Sequence, residues 1–218
     1  MATTWFTWNE TDLTQFDTAI VGSGVTSHML SVVTLAGKQW IRLEVNPVGG
    51  VVTIKDGLVV LPISATPPSG DYEVEADCVR LEGSTRLGHV VLTRFVNVSQ
   101  AYWLELNYST SYAYQIRKLD GTAAGQVRLS ITNPKRSTSN PFGLVPATNY
   151  GQHLKLSVHG SSVVEMETLG KNIAADIISP YTTVGKAAIG ASCADGDLST
   201  TGQQIICLFR NIKCKTYE

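Results

Sequence analysis

Residues 72–81, YEVEADCVRL, separate at every second position into Tyr72, Val74, Ala76 and Cys78 on one side and Glu73, Glu75 and Asp77 on the other. A period of two is that of an extended strand with one dry face and one polar face. Comparable runs recur along the chain, divided by Gly, Pro, Asn and Ser turns: 28–35, 38–45, 57–63, 88–95, 101–109, 113–120, 126–132, 153–160, 163–170, 186–192 and 203–217. No 3.6-residue stripe persists over three turns. Twelve short strands at this spacing predict two packed antiparallel sheets. Residues 133–151 form the one long irregular connection, and connections of this length are either functional or mobile. Residues 1–20 alternate poorly. Their aromatics, Trp5, Phe6, Trp8 and Phe16, nevertheless need a surface to cover them.

Composition narrows the class. Charged residues are 16% of the 218 positions and the chain is rich in β-formers, against a helical fold. The length suits one all-β domain over 1–218, with 1–20 as a contact segment. A net charge of -1 removes the electrostatic drive toward nucleic acid or an anionic membrane, so neither partner is expected. The N-terminus lacks the basic start and apolar run of a secretory signal, and no stretch approaches the length of a membrane helix, so synthesis in the cytoplasm is expected. Cys78, Cys193, Cys207 and Cys214 have no CxxC spacing and read as buried free thiols.

The strand order resembles the laminin-G-like, concanavalin-A-like jelly-roll family over roughly 57–218. The resemblance is carried by GLVVLPI, YEVEADCVRL, GHVVLTRFVNVSQAYWLELNY, HLKLSVHGSSVVEMETLGKNI, GKAAIGA and the closing FRNIKCKTYE. It implies an all-β fold, an antiparallel β-sandwich of concanavalin-A-like jelly-roll form. Members of that family serve as sugar-binding modules, glycosidase scaffolds and accessory domains of phage and other extracellular structures. A pattern of strands specifies fold better than function.

Three carboxylates on one strand face pose the main chemical question. Glu73, Glu75 and Asp77 superficially resemble the carboxylate strand of laminarinase-like jelly-roll glycosidases, and same-face residues lie about 6.5–7 Å apart along a strand. A retaining mechanism needs carboxyls about 5–5.5 Å apart, within reach of rotamers. The order Glu, Glu, Asp departs from the catalytic Glu, Asp, Glu, and no framing Trp stands in a matching register. The favoured reading is a solvent-facing strand kept soluble by charge, and no catalytic residue is assigned. On 101–109, Trp103 and Glu105 fall opposite the apolar row, as a sugar-stacking platform or a protein interface would have them. Trp103, Glu105, Glu73 and Glu75 are therefore the carbohydrate-binding candidates. Asp195 and Asp197 in ADGDLS are the candidates for Ca²⁺, without the further acidic ligands of a recognisable calcium loop; otherwise no cofactor is expected. The four histidines have no nearby nucleophile with an orienting acid, and VGSGVTS at 21–27 reads as a turn.

These readings favour a non-enzymatic structural protein of a tailed-phage virion, either a capsid decoration, fibre or tail accessory subunit. It would associate with other virion proteins and with copies of itself through Trp5, Phe6, Trp8 and Phe142. The alternative is a carbohydrate-binding module or lectin, with a host-surface glycan as partner. A jelly-roll glycosidase stands third.

Overall fold

The computed structural model describes residues 1–21, 27–46, 57–82, 88–97, 100–106, 114–119, 126–132, 150–160, 163–168, 171–176, 181–193 and 205–217. Its strands are β1 Ala2–Thr7, β2 Ala19–Val21, β3 Ser27–Leu35, β4 Lys38–Asn46 and β5 Gly57–Pro62. Then follow β6 Tyr72–Glu82, β7 Gly88–Asn97, β8 Gln100–Leu106, β9 Tyr114–Leu119 and β10 Gln126–Thr132. The last five are β11 Tyr150–His159, β12 Val163–Thr168, β13 Lys171–Asp176, β14 Lys186–Cys193 and β15 Ile205–Tyr217. Eight of them form one sheet, in the order β13-β12-β11-β6-β15-β4-β3, with β1 beside β15. The other seven run β10-β9-β8-β7-β14-β5-β2.

All pairings are antiparallel, and the architecture is the concanavalin-A-like jelly-roll β-sandwich. Tyr72, Val74, Ala76 and Cys78 are buried between the sheets together with Leu154, Leu156 and Val158, as their alternation predicts. From the opposite sheet, Val59, Leu61, Val91, Tyr102, Leu104 and Ile189 complete the core. Gly190 is required where β14 pairs with β5, because a Cβ there would stand 2.3 Å from the Val59 carbonyl oxygen. Cys78, Cys207 and Cys214 are buried free thiols.

The N-terminal segment corrects one expectation. Trp5, Phe6 and Trp8 do not await a neighbouring subunit: Phe6 and Trp8 are buried in the core and Trp5 packs half-buried against it. The cause is long-range pairing. β1 hydrogen-bonds to the second half of β15, from Ala2 opposite Tyr217 to Thr7 opposite Lys213, while β2 pairs with β5 in the other sheet. Between them Trp8 donates its backbone N–H to Ile212 (3.0 Å), its indole N–H to the Asp12 carbonyl (3.0 Å), and Phe16 bridges to Ile63. Residues 1–21 thus clip one edge of the sandwich shut.

Candidate functional site

The outer face of the eight-stranded sheet carries an ordered polar ridge across its central strands β11, β6 and β15. Register builds it row by row. Asp77 lies between His153 and Arg210, Glu75 between Lys155 and Lys213, and Glu73 between Ser157 and Lys215. One step further, His159 and Tyr217 follow in the same alternation and stack at 4.7 Å between ring centroids. Six residues of strand at about 3.4 Å each make the ridge about 20 Å long, and three strands make it about 10 Å wide.

Glu73, Glu75 and Asp77 therefore do not face open water, which corrects the solvent-facing expectation. Glu73 contacts Lys215 Nζ at 3.1 Å and Lys155 Nζ at 4.0 Å, and accepts a hydrogen bond from the Tyr217 hydroxyl. Glu75 meets Lys215 Nζ at 3.1 Å and His153 Nε2 at 3.6 Å. Asp77 takes His153 Nδ1 at 2.9 Å, Arg210 Nε at 3.2 Å and Asn211 Nδ2 at 2.6 Å. Asn211, at φ 51°, sits in the bulge of β15 between Arg210 and Lys213, a left-handed position that Asn tolerates and that aims its amide at Asp77. Arg210 is further held over the Trp40 ring at 4.7 Å.

Charge states follow from these contacts. The hydrogen bond from His153, helped by Lys215, holds Glu75 down to about 2. Hydrogen bonds to Asp77 and Glu75 outweigh burial and lift His153 to about 9, so it is an imidazolium at neutral pH. Burial would raise Asp77, but His153, Asn211 and Arg210 together lower it. The ridge is thus an interlocked set of full charges on rigid strands. Among the described residues, no group of three or more His, Cys, Asp or Glu side chains is placed to hold a metal ion.

The remaining candidates lie elsewhere. Trp103 points away from the inter-sheet core, as its parity predicts, but it is only 1% exposed and cannot serve as an open stacking platform. It is packed with Leu58, Val60, Val90, Leu92 and Phe95, because the outer face of the seven-stranded sheet is itself apolar. Glu105 occupies β8 opposite Val90 and Gln115. Phe142, Asp195 and Asp197 lie outside the described residues. A separate cleft of about 400 Å³ is lined by Asp17, Thr18, Phe95, Val96, Thr183 and Lys186, with Lys186 paired to Asp17 at 2.6 Å. Sequence reading missed the basic half of the ridge. Its signal was present in HLKLSVH and RNIKCKTY, whose polar positions alternate as those of YEVEAD do.

No protein-family model matches the chain, and no curated protein matches it. Among solved structures it is similar to alginate lyase A1-II' (TM-score 0.54, 10% identity), covering 95% of this chain and 96% of that one. It is also similar to the carbohydrate-binding module CBM66 from Bacillus subtilis (TM-score 0.50, 12% identity, 90% and 99% covered). A third is botulinum neurotoxin type C (TM-score 0.50, 7% identity), where the match spans 93% of this chain and 44% of the toxin chain. At such identities the likeness establishes the fold alone, a concanavalin-A-like jelly-roll sandwich.

Proposed function

We propose that this chain is a carbohydrate-binding β-sandwich whose ligand lies along the ridge on the outer face of the eight-stranded sheet. The observation that carries the reading is the network itself. Ion pairs and hydrogen bonds across β11, β6 and β15 hold polar side chains in fixed positions over a surface about 20 Å long. Groups already immobilised lose little entropy on binding, which suits a ligand that offers many hydroxyls and little apolar area. The stacked His159 and Tyr217 add an aromatic surface at one end, against which the C–H face of a sugar can lie. The names of two similar structures, a carbohydrate-binding module and an alginate lyase, support a glycan ligand.

This reading displaces the virion-assembly expectation as the better supported, since the N-terminal aromatics meant to mediate assembly are used by the chain's own core. The test is affinity gel electrophoresis against a panel of soluble polysaccharides, with His153→Ala and Tyr217→Ala as variants and thermal unfolding as the control for folding. Retardation by at least one polysaccharide, reduced about tenfold or more in affinity in a folded variant, is expected. No retardation by any member of the panel, or equal retardation of wild type and both variants, would overturn the proposal.

A further inference from the structure

Resting on the glycan reading, we infer that the ridge takes an anionic, carboxylate-bearing polysaccharide, and that Lys213 and Lys215 receive its carboxylates. The argument is one of layers. The side chains of Glu73, Glu75 and Asp77 are only 4%, 14% and 10% exposed, whereas those of His153, Lys215, Lys155 and Arg210 are 49%, 28%, 25% and 19% exposed. The acids lie beneath and the cations lie on top. A ligand settling on this face meets ammonium, imidazolium and guanidinium groups, which donate hydrogen bonds and accept none. Such a surface matches a ligand rich in acceptors and negative charge.

The neighbouring strands decide where along the ridge the anion goes. On the β12 flank, Glu167 and Glu165 are the register partners of Lys155 and Ser157. On the β4 flank, Arg42 and Glu44 pair with each other at 2.9 Å. On the β1 flank, Thr7 and Thr4 stand opposite Lys213 and Lys215, and neither carries charge. Lys213 is exposed and makes no ion pair with a described residue, although it faces the same way as the paired Lys215. Lys215 directs its ammonium at Glu73 and Glu75, which leaves one of its three N–H donors for a ligand. The two lysines are about 7 Å apart along β15. A carboxylate between them can accept from both, while the sugar ring runs on toward Tyr217.

The experiment compares three probes of defined chemistry: a polyuronate, the same polymer with its carboxyl groups reduced to alcohols, and a sulfated polysaccharide of similar length. Wild type, Lys213→Gln and Lys213→Glu are titrated at low and high salt. The expected result is binding of the polyuronate at least about tenfold tighter than of its reduced form, weakened by salt, and lowered about tenfold by Lys213→Glu with a smaller loss in Lys213→Gln. Equal affinity for the reduced polymer, or no effect of either variant, would overturn the inference. Tighter binding of the sulfated polymer would overturn the carboxylate assignment. Binding only to neutral polysaccharides, lost in His153→Ala, would overturn this inference and leave the glycan reading standing, whereas no binding to any polysaccharide would remove both.

Discussion

Arg94 is the residue on which the loop end of the sandwich depends. It occupies a bulge of β7 at φ 52°, with its side chain buried. One terminal nitrogen donates to the Tyr181 carbonyl, and the other donates to the carbonyls of Gly70 (3.0 Å) and Gly160. Its backbone N–H donates to the Tyr72 hydroxyl, which lies 3.3 Å from the Val184 carbonyl. One guanidinium thus ties three connecting segments to β7, with Asp71 3.9 Å away. In Arg94→Ala three carbonyls lose their donor. At about 1–3 kcal/mol for each buried group left unpaired, with Gly160 near water and so at the low end, the loss should total about 3–7 kcal/mol. A left-handed backbone costs a non-glycine residue about 1–2 kcal/mol, so Arg94→Gly should be less destabilised than Arg94→Ala by about that amount. Urea unfolding followed by tryptophan fluorescence measures both, provided the slope against denaturant is unchanged. An Arg94→Ala variant within about 1 kcal/mol of wild type would refute the role of the carbonyl cage. A glycine variant no better than the alanine one would refute the backbone part.

Two further outcomes are expected. His153 has a folded value of about 9 against 6.5 when free, so its contribution to stability is complete below the lower value and is lost as pH rises through the upper one; Glu75, at about 2 against 4.5, contributes above 4.5 and loses its part as pH falls through about 2. The urea midpoint of wild type should therefore drop more between about pH 6 and pH 10 than that of His153→Gln, and equal drops would contradict the network as drawn. Deleting residues 1–9 removes β1 together with buried Phe6 and Trp8, and should lower the unfolding free energy by about 5 kcal/mol or more, in contrast to a free arm whose loss leaves the thermal midpoint unchanged.

Alternation alone determined which residues could form strands and which side of each would be dry. The side-chain period of an extended chain is two and involves no distant residue, so the core faces of Tyr72–Cys78 and Leu154–Val158 were legible. β1, β2 and β13 escaped it. β1 and β2 are held in extended form by partners far away in the chain, and Ala2–Thr7 has no period of its own to display. Parity likewise told the side on which Trp103 lies but not its burial, since that depends on the apolar outer row contributed by β5, β7 and β14. The three carboxylates of β6 were plain in the sequence, yet their meaning was not. Whether an acid faces water or a cation is decided by the residues opposite it in register, and here those come from β11, about 80 positions on, and from β15, about 140 positions on. Only the closed sheet brings them within 3–4 Å, where charge, hydrogen bonding and exposure are settled together.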